Sequence, residues 1–100
     1  MILDEMSVSI DEDFTPQQKH EIKSMIDNPK NSTYKSMALN FTIKKSVSLV
    51  QVYKFINQLM DCLQRNICVS VDFNIDENLK KTANLNLKIF DNEDEIKENK

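Results

Sequence analysis

The 100 residues contain no glycine, and that absence limits both the turns and the chemistry open to the chain. Glycine reaches positive φ at no steric cost and lets backbone approach a phosphate closely. A P-loop, a dinucleotide fingerprint, a nucleophile elbow and a KH-type clamp each require it, so none of them is here.

Four segments alternate apolar and polar residues. Met6, Val8 and Ile10 interleave with Ser7, Ser9 and Asp11, and Met37, Leu39, Phe41 and Ile43 with Ala38, Asn40, Thr42 and Lys44. Further along, Ile67, Val69, Val71, Phe73 and Ile75 interleave with Cys68, Ser70, Asp72, Asn74 and Asp76, and Leu85, Leu87 and Ile89 with Asn84, Asn86 and Lys88. Period two over five or more residues predicts strands with one apolar and one wetted face. Such a sheet needs cover on one side only.

Two helices are predicted to supply it. In Phe14-Thr15-Pro16-Gln17-Gln18, Thr15 is the N-cap, Pro16 the first helical residue and Gln18 the return arm of a capping box. This helix runs to about Ile26 and stops at Asn28-Pro29, because a residue before proline is pushed out of the helical region. Its inward stripe is Ile22, Met25 and Ile26. For the second helix Ser48 caps, Gln51 takes the reciprocal position, and Val47 with Val52 forms a hydrophobic staple. Leu49, Val52, Tyr53, Ile56, Leu59, Met60 and Leu63 then recur at helical spacing, while Gln51, Lys54, Asn57, Gln58, Asp61 and Gln64 point away. Phe55 and Cys62 widen the apolar arc toward the first helix or a second subunit.

The expected fold is therefore a single α+β domain over residues 1–90, in the order β-α-β-α-β-β, with a four-stranded sheet and two helices packed on one face. The loop Asp76 to Thr82 suits an irregular hairpin between the last two strands. Residues 91–100 form an acidic tail with one apolar residue, Ile96, expected to be frayed or weakly helical.

No stretch approaches the ~20 apolar residues of a membrane span, and the start Met1-Ile2-Leu3-Asp4-Glu5 is acidic where a signal peptide is basic. These features point to a cytoplasmic protein with no membrane partner. The sequons Asn31-Ser32-Thr33 and Asn40-Phe41-Thr42 then carry no sugar, and Cys62 and Cys68 remain thiols. Twelve lysines against one arginine, with abundant asparagine and isoleucine, fit AT-rich codons and a phage or mobile-element origin.

Candidate sites are few. Asp72, Asn74, Asp76 and Asn78 stand at the spacing of a calcium loop, but Glu77 and Ala83 occupy the places that need glycine and glutamate. Cys62 and Cys68 lack metal-ligand spacing, and His20 has no partner converging on it. No cofactor, metal or catalytic residue is expected. Charge is more informative: residues 1–13 carry −5 and residues 91–100 carry −3, so the remainder carries +5. No acid occurs from Asn28 to Met60, where Lys30, Lys35, Lys44, Lys45 and Lys54 lie with Tyr34. Beside its ordinary meaning as a solvated face, such a run is a candidate docking surface for an acidic partner.

The wetted sheet face carries Asn40, Thr42, Ser70, Asn74, Asn84 and Asn86 and lacks stacking aromatics, with Phe90 alone at its edge. The expected function is non-enzymatic: an intracellular regulator, inhibitor or assembly factor that binds another protein through polar sheet surface or an open strand edge, together with the lysines of the acid-free run. A closed homodimer would use the same edges. The alternative is weak nucleic-acid binding through the lysines, disfavoured because Arg65 is the only arginine.

Overall fold

The computed structural model describes residues 1–63 and 67–91. The expected position of Gln64 and the acidic tail with Ile96 lie outside the described residues. Strand β1 (Ile2–Ile10) is followed by helix α1 (Pro16–Ile26), a short 3₁₀ turn (Pro29–Asn31), β2 (Ser36–Ile43), α2 (Leu49–Met60), β3 (Cys68–Ile75) and β4 (Ala83–Phe90). Type and order agree with the α+β reading. No described residue has positive φ, so every turn among them is built without the conformation that favours glycine.

The sheet order is β1-β4-β2-β3. β4 runs antiparallel to both neighbours, β1 and β2, and β3 runs parallel to β2. This corrects the hairpin expected across Asp76 to Thr82: β3 and β4 do not pair, because β2 stands between them. Two parallel strands need a long crossover, and α2 supplies it from β2 to β3.

Register puts the apolar residues in rows on one face. Val8 lies beside Leu85, Leu85 beside Phe41, and Phe41 beside Phe73. On the opposite face Ser9, Asn84, Thr42 and Asn74 form a row, as do Ser7, Asn86, Asn40 and Asp72. The core gathers Ile10, Leu39, Phe41, Leu85, Leu87 and Ile89 from the sheet with Ile22 and Ile26 of α1 and Val52, Phe55 and Leu59 of α2.

At α1 the capping box is complete: Thr15 Oγ1 accepts from Gln18 N at 3.1 Å and Gln18 Oε1 accepts from Thr15 N at 2.9 Å. At α2 only one arm forms. Ser48 Oγ accepts from Gln51 N at 3.2 Å, but the Gln51 amide instead donates to Glu12 O at 2.8 Å, tying α2 to the loop after β1.

The inward face of α2 also differs from the sequence reading. Phe55, expected on a flank, is fully buried, while Leu49 and Tyr53, expected inside, are 63% and 61% exposed. The cause is aromatic packing. Phe55 meets Phe14 edge-on, centroids 6.0 Å apart, and stacks on Phe41 at 6.4 Å. Seating that ring at the centre rolls Leu49 and Tyr53 outward, since they sit more than a right angle away around the helix.

Candidate functional site

The lysines of the acid-free run do not converge. Lys35 precedes β2 and Lys44 follows it, which separates their backbones by about 30 Å at ~3.3 Å per strand residue. Lys30 Nζ lies 3.4 Å from Asp4 Oδ2, and Lys54 Nζ lies 2.7 Å from Asp13 Oδ1. The Lys54 ammonium and the Gln58 amide hold the Asp13 carboxyl below its ordinary range. Beside the pair Lys44 and Lys45, Glu77 Oε1 accepts from the Lys45 backbone N at 2.7 Å. Acids distant in sequence have been brought to three of the five lysines. Tyr34 is 1% exposed, so its ring belongs to the core and not to a contact surface.

The other sequence candidates stay apart as well. Asp72 and Asn74 are strand residues on the wetted face, alternating with Phe73 and Ile75, so they do not wrap around an ion. Cys62 and Cys68 are half-buried thiols, Cys62 Sγ donating to Gln58 O at 3.8 Å. His20 is exposed on α1. Among the described residues no group of three or more His, Cys, Asp or Glu could hold a metal ion, and no helix is long and apolar enough to cross a membrane.

Two surfaces among the described residues are larger or more apolar than the rest. The wetted face of the sheet forms a shallow dish of about 330 Å³ lined by Ser7, Ser9, Asn40, Thr42, Asn84 and Asn86. Its polar groups satisfy one another: Ser9 Oγ donates to Asn84 Oδ1 at 2.8 Å and Asn74 Nδ2 to Asn40 Oδ1 at 2.8 Å.

The second surface is the β3 edge, and it is apolar. Phe73 and Ile75 are 44% and 63% exposed, although their alternation places them on the core face. The cover from α2 leaves both of them largely open to solvent. Its Gln51 and Gln58 flank is tied to Glu12, Asp13 and Phe14, so Leu49, Tyr53, Ile56 and Met60 lie on the flank nearer β3. Phe73 stacks on Phe41 with centroids 6.1 Å apart. The rings Phe14, Phe55, Phe41 and Phe73 thus form a ladder from the core to the open edge. Leu49, Tyr53, Phe73 and Ile75 are the surface residues that sequence reasoning missed, since it assigned all four to the core. The signal available was the cover: two helices of 11 and 12 residues cannot blanket four strands.

No known protein family matches the chain, and no curated protein matches it. Among solved structures it is similar to FtsZ from M. jannaschii, both in an empty dimer and in a point mutant. TM-score is 0.50 and identity 20% in each case, over 85% of this chain and 26% and 27% of the FtsZ chain. The chain spans about a quarter of those proteins' length, and at this identity the likeness concerns the fold alone.

Proposed function

We propose that this chain is a small non-enzymatic protein-binding domain, working in the cytoplasm as a regulator, inhibitor or assembly factor. Its contacts run through the β3 edge and the neighbouring flank of α2. The observation that carries this reading is the exposure of Phe73 and Ile75 at a strand with no neighbour on its outer side among the described residues, with Leu49 and Tyr53 exposed on the α2 flank opposite Gln51 and Gln58. Exposed apolar side chains and an open edge are each features that proteins keep for contacts. Strand addition is a recurrent way of using both, with backbone bonds giving affinity and alternate side chains giving specificity. Its composition fits a phage or mobile-element product.

Nucleic-acid binding has less support, because the lysines are dispersed and two of the five have their ammonium groups paired with carboxylates. The two readings separate in one experiment. Affinity capture from the native host is compared for the wild type, Phe73→Lys, and the double variant Lys44→Gln with Lys45→Gln. Protein capture should fall with Phe73→Lys and persist in the lysine variant. Loss with the lysine variant alone, together with salt-sensitive binding to DNA or RNA, would replace protein binding by phosphate binding.

A further inference from the structure

The pairing of β3 with β2 fixes which of its peptide groups face outward. Cys68 N–H donates to Lys35 O at 3.3 Å and Asp76 N–H to Ile43 O at 2.9 Å. Peptide groups alternate sides along a strand, so the even-numbered residues from Cys68 to Asp76 turn theirs toward β2. Val69, Val71, Phe73 and Ile75 turn theirs to the open edge. The outward donors and acceptors therefore belong to the residues with apolar side chains.

Resting on the docking surface proposed above, we infer that its occupant is a second copy of this chain, the two β3 strands pairing antiparallel about Val71. In that register Val71 faces its own counterpart, Val69 faces Phe73, Ile67 faces Ile75, Ser70 faces Asp72 and Cys68 faces Asn74 of the other copy. Apolar meets apolar on one face and polar meets polar on the other. The odd-numbered residues exchange both backbone hydrogen bonds, and the even-numbered ones form the close pairs with Cα atoms about 4.5 Å apart.

Charge selects this register. Asp72 is the only acidic or basic residue of β3. With the axis at Val71, its carboxylate accepts from the Ser70 hydroxyl of the other copy. Moving the axis to Asp72 sets two carboxylates opposite each other, which is destabilising, and moving it to Ser70 or Phe73 shortens the paired length. Directly opposed residues share a face, so the joined eight-stranded sheet keeps both α2 helices on one side, their Leu49 and Tyr53 flanks turned toward the seam. The interface is isologous and closes on itself.

Sedimentation of the wild type should give the mass of two chains at high concentration, falling toward one on dilution, and Phe73→Lys should give one chain throughout. Register is read with disulfides in a Cys62→Ser background. Asn74→Cys should give, under oxidised glutathione, dimers in which the new thiol is linked to Cys68 of the other chain. Within one chain these positions are about 20 Å apart along the strand, beyond disulfide reach. Ser70→Cys in the same background should stay unlinked. A one-chain mass at every concentration, or a link between two introduced thiols, overturns the self-pairing. If the wild type is monomeric yet Phe73→Lys still abolishes capture of a host protein, self-pairing alone fails and the docking edge stands. If capture is unaffected as well, both fail.

Discussion

Along β1 the ladder to β4 slips between Ile2 and Asp4, whereas along β3 eight successive pairs with β2 run unbroken. The contacts around the two strands differ in the same sense. Asp4 accepts from Asn31 Nδ2 at 3.1 Å with Lys30 alongside, and the Gln18 amide donates to Ser9 O at 2.7 Å, so the 3₁₀ turn and α1 both lean on β1. β3 has no bulge, no proline and no lysine, the devices by which sheet edges are usually blunted. Its side chains also become more exposed toward Ile75, while β1 becomes buried toward Ile10. Strand-forming pattern is equal in the two; what protects an edge is supplied by other segments, and here α1 and the Gln51 and Gln58 flank of α2 are committed to β1 and the loop after it.

The sharpest way to break this contrast is to place the same charge on each strand. Ile10→Asp buries an unpaired carboxylate at a site with 0% exposure, and it should cost more than about 4 kcal/mol, enough to unfold the domain. Ile75→Asp, at 63% exposure, should stay within about 0.5 kcal/mol of wild type in the single chain, at concentrations too low for β3 to pair with a second copy, as exposed substitutions do. Urea titrations followed by circular dichroism measure both. Equal losses would mean that β3 is as integral to the core as β1.

The aromatic ladder offers a smaller version of the same test. Phe55→Ala removes a fully buried ring that touches both Phe14 and Phe41, and should cost about 3–5 kcal/mol. Phe73→Ala removes the outermost rung, half in solvent and in contact with one other ring, and should cost about half of that by its smaller buried area. A thermal melt in which Phe73→Ala is the worse variant would place the mechanical centre of the sheet at the β3 side.

Local rules were legible in the sequence where local physics governs. The Thr15, Pro16 and Gln18 start of α1 and its end at Ile26 follow from capping and from the proline after Asn28, and the structure reproduces them. Alternation found all four strands within a few residues, missing only that β1 begins at Ile2. Pairing order was not legible, because alternation is the same for any neighbour and nothing local places β4 between β1 and β2. The rotation of α2 was hidden for a related reason: helical periodicity gives an apolar arc some 160° wide from Phe55 to Tyr53, and which part faces inward depends on where Phe14 and Phe41 stand. That one rotation made the candidate surface unreadable, since it moves Leu49 and Tyr53 outside. Ile56 and Val71, which period alone places in the core, are half-buried beside it. The dispersal of the lysines was equally non-local, since Asp4 and Asp13 reach Lys30 and Lys54 only through the fold.

The smallest expected effect concerns the guard at β1. The hydrogen bond from the buried Asn31 amide, with smaller help from the Glu5 backbone N–H and Lys30, holds the Asp4 carboxyl below its ordinary value of 3.8, against an opposing push from burial. A carboxyl whose folded value is depressed contributes stability above the unfolded value and loses it as pH falls through the folded one. Asp4 therefore secures the β1 edge at neutral pH and releases it only in acid, below 3.8. Carboxyl titration by NMR should find Asp4 depressed in the wild type, shifted upward strongly in Asn31→Ala, and shifted upward only slightly in Lys30→Gln, whose exposed ammonium is screened by solvent. Amide exchange of residues 2–5 should accelerate over the same acid window while the β3 edge, with no comparable tether among the described residues, shows no matching step. A larger shift from Lys30→Gln than from Asn31→Ala would mean that long-range charge, and not the hydrogen bond from the 3₁₀ turn, guards this side of the sheet.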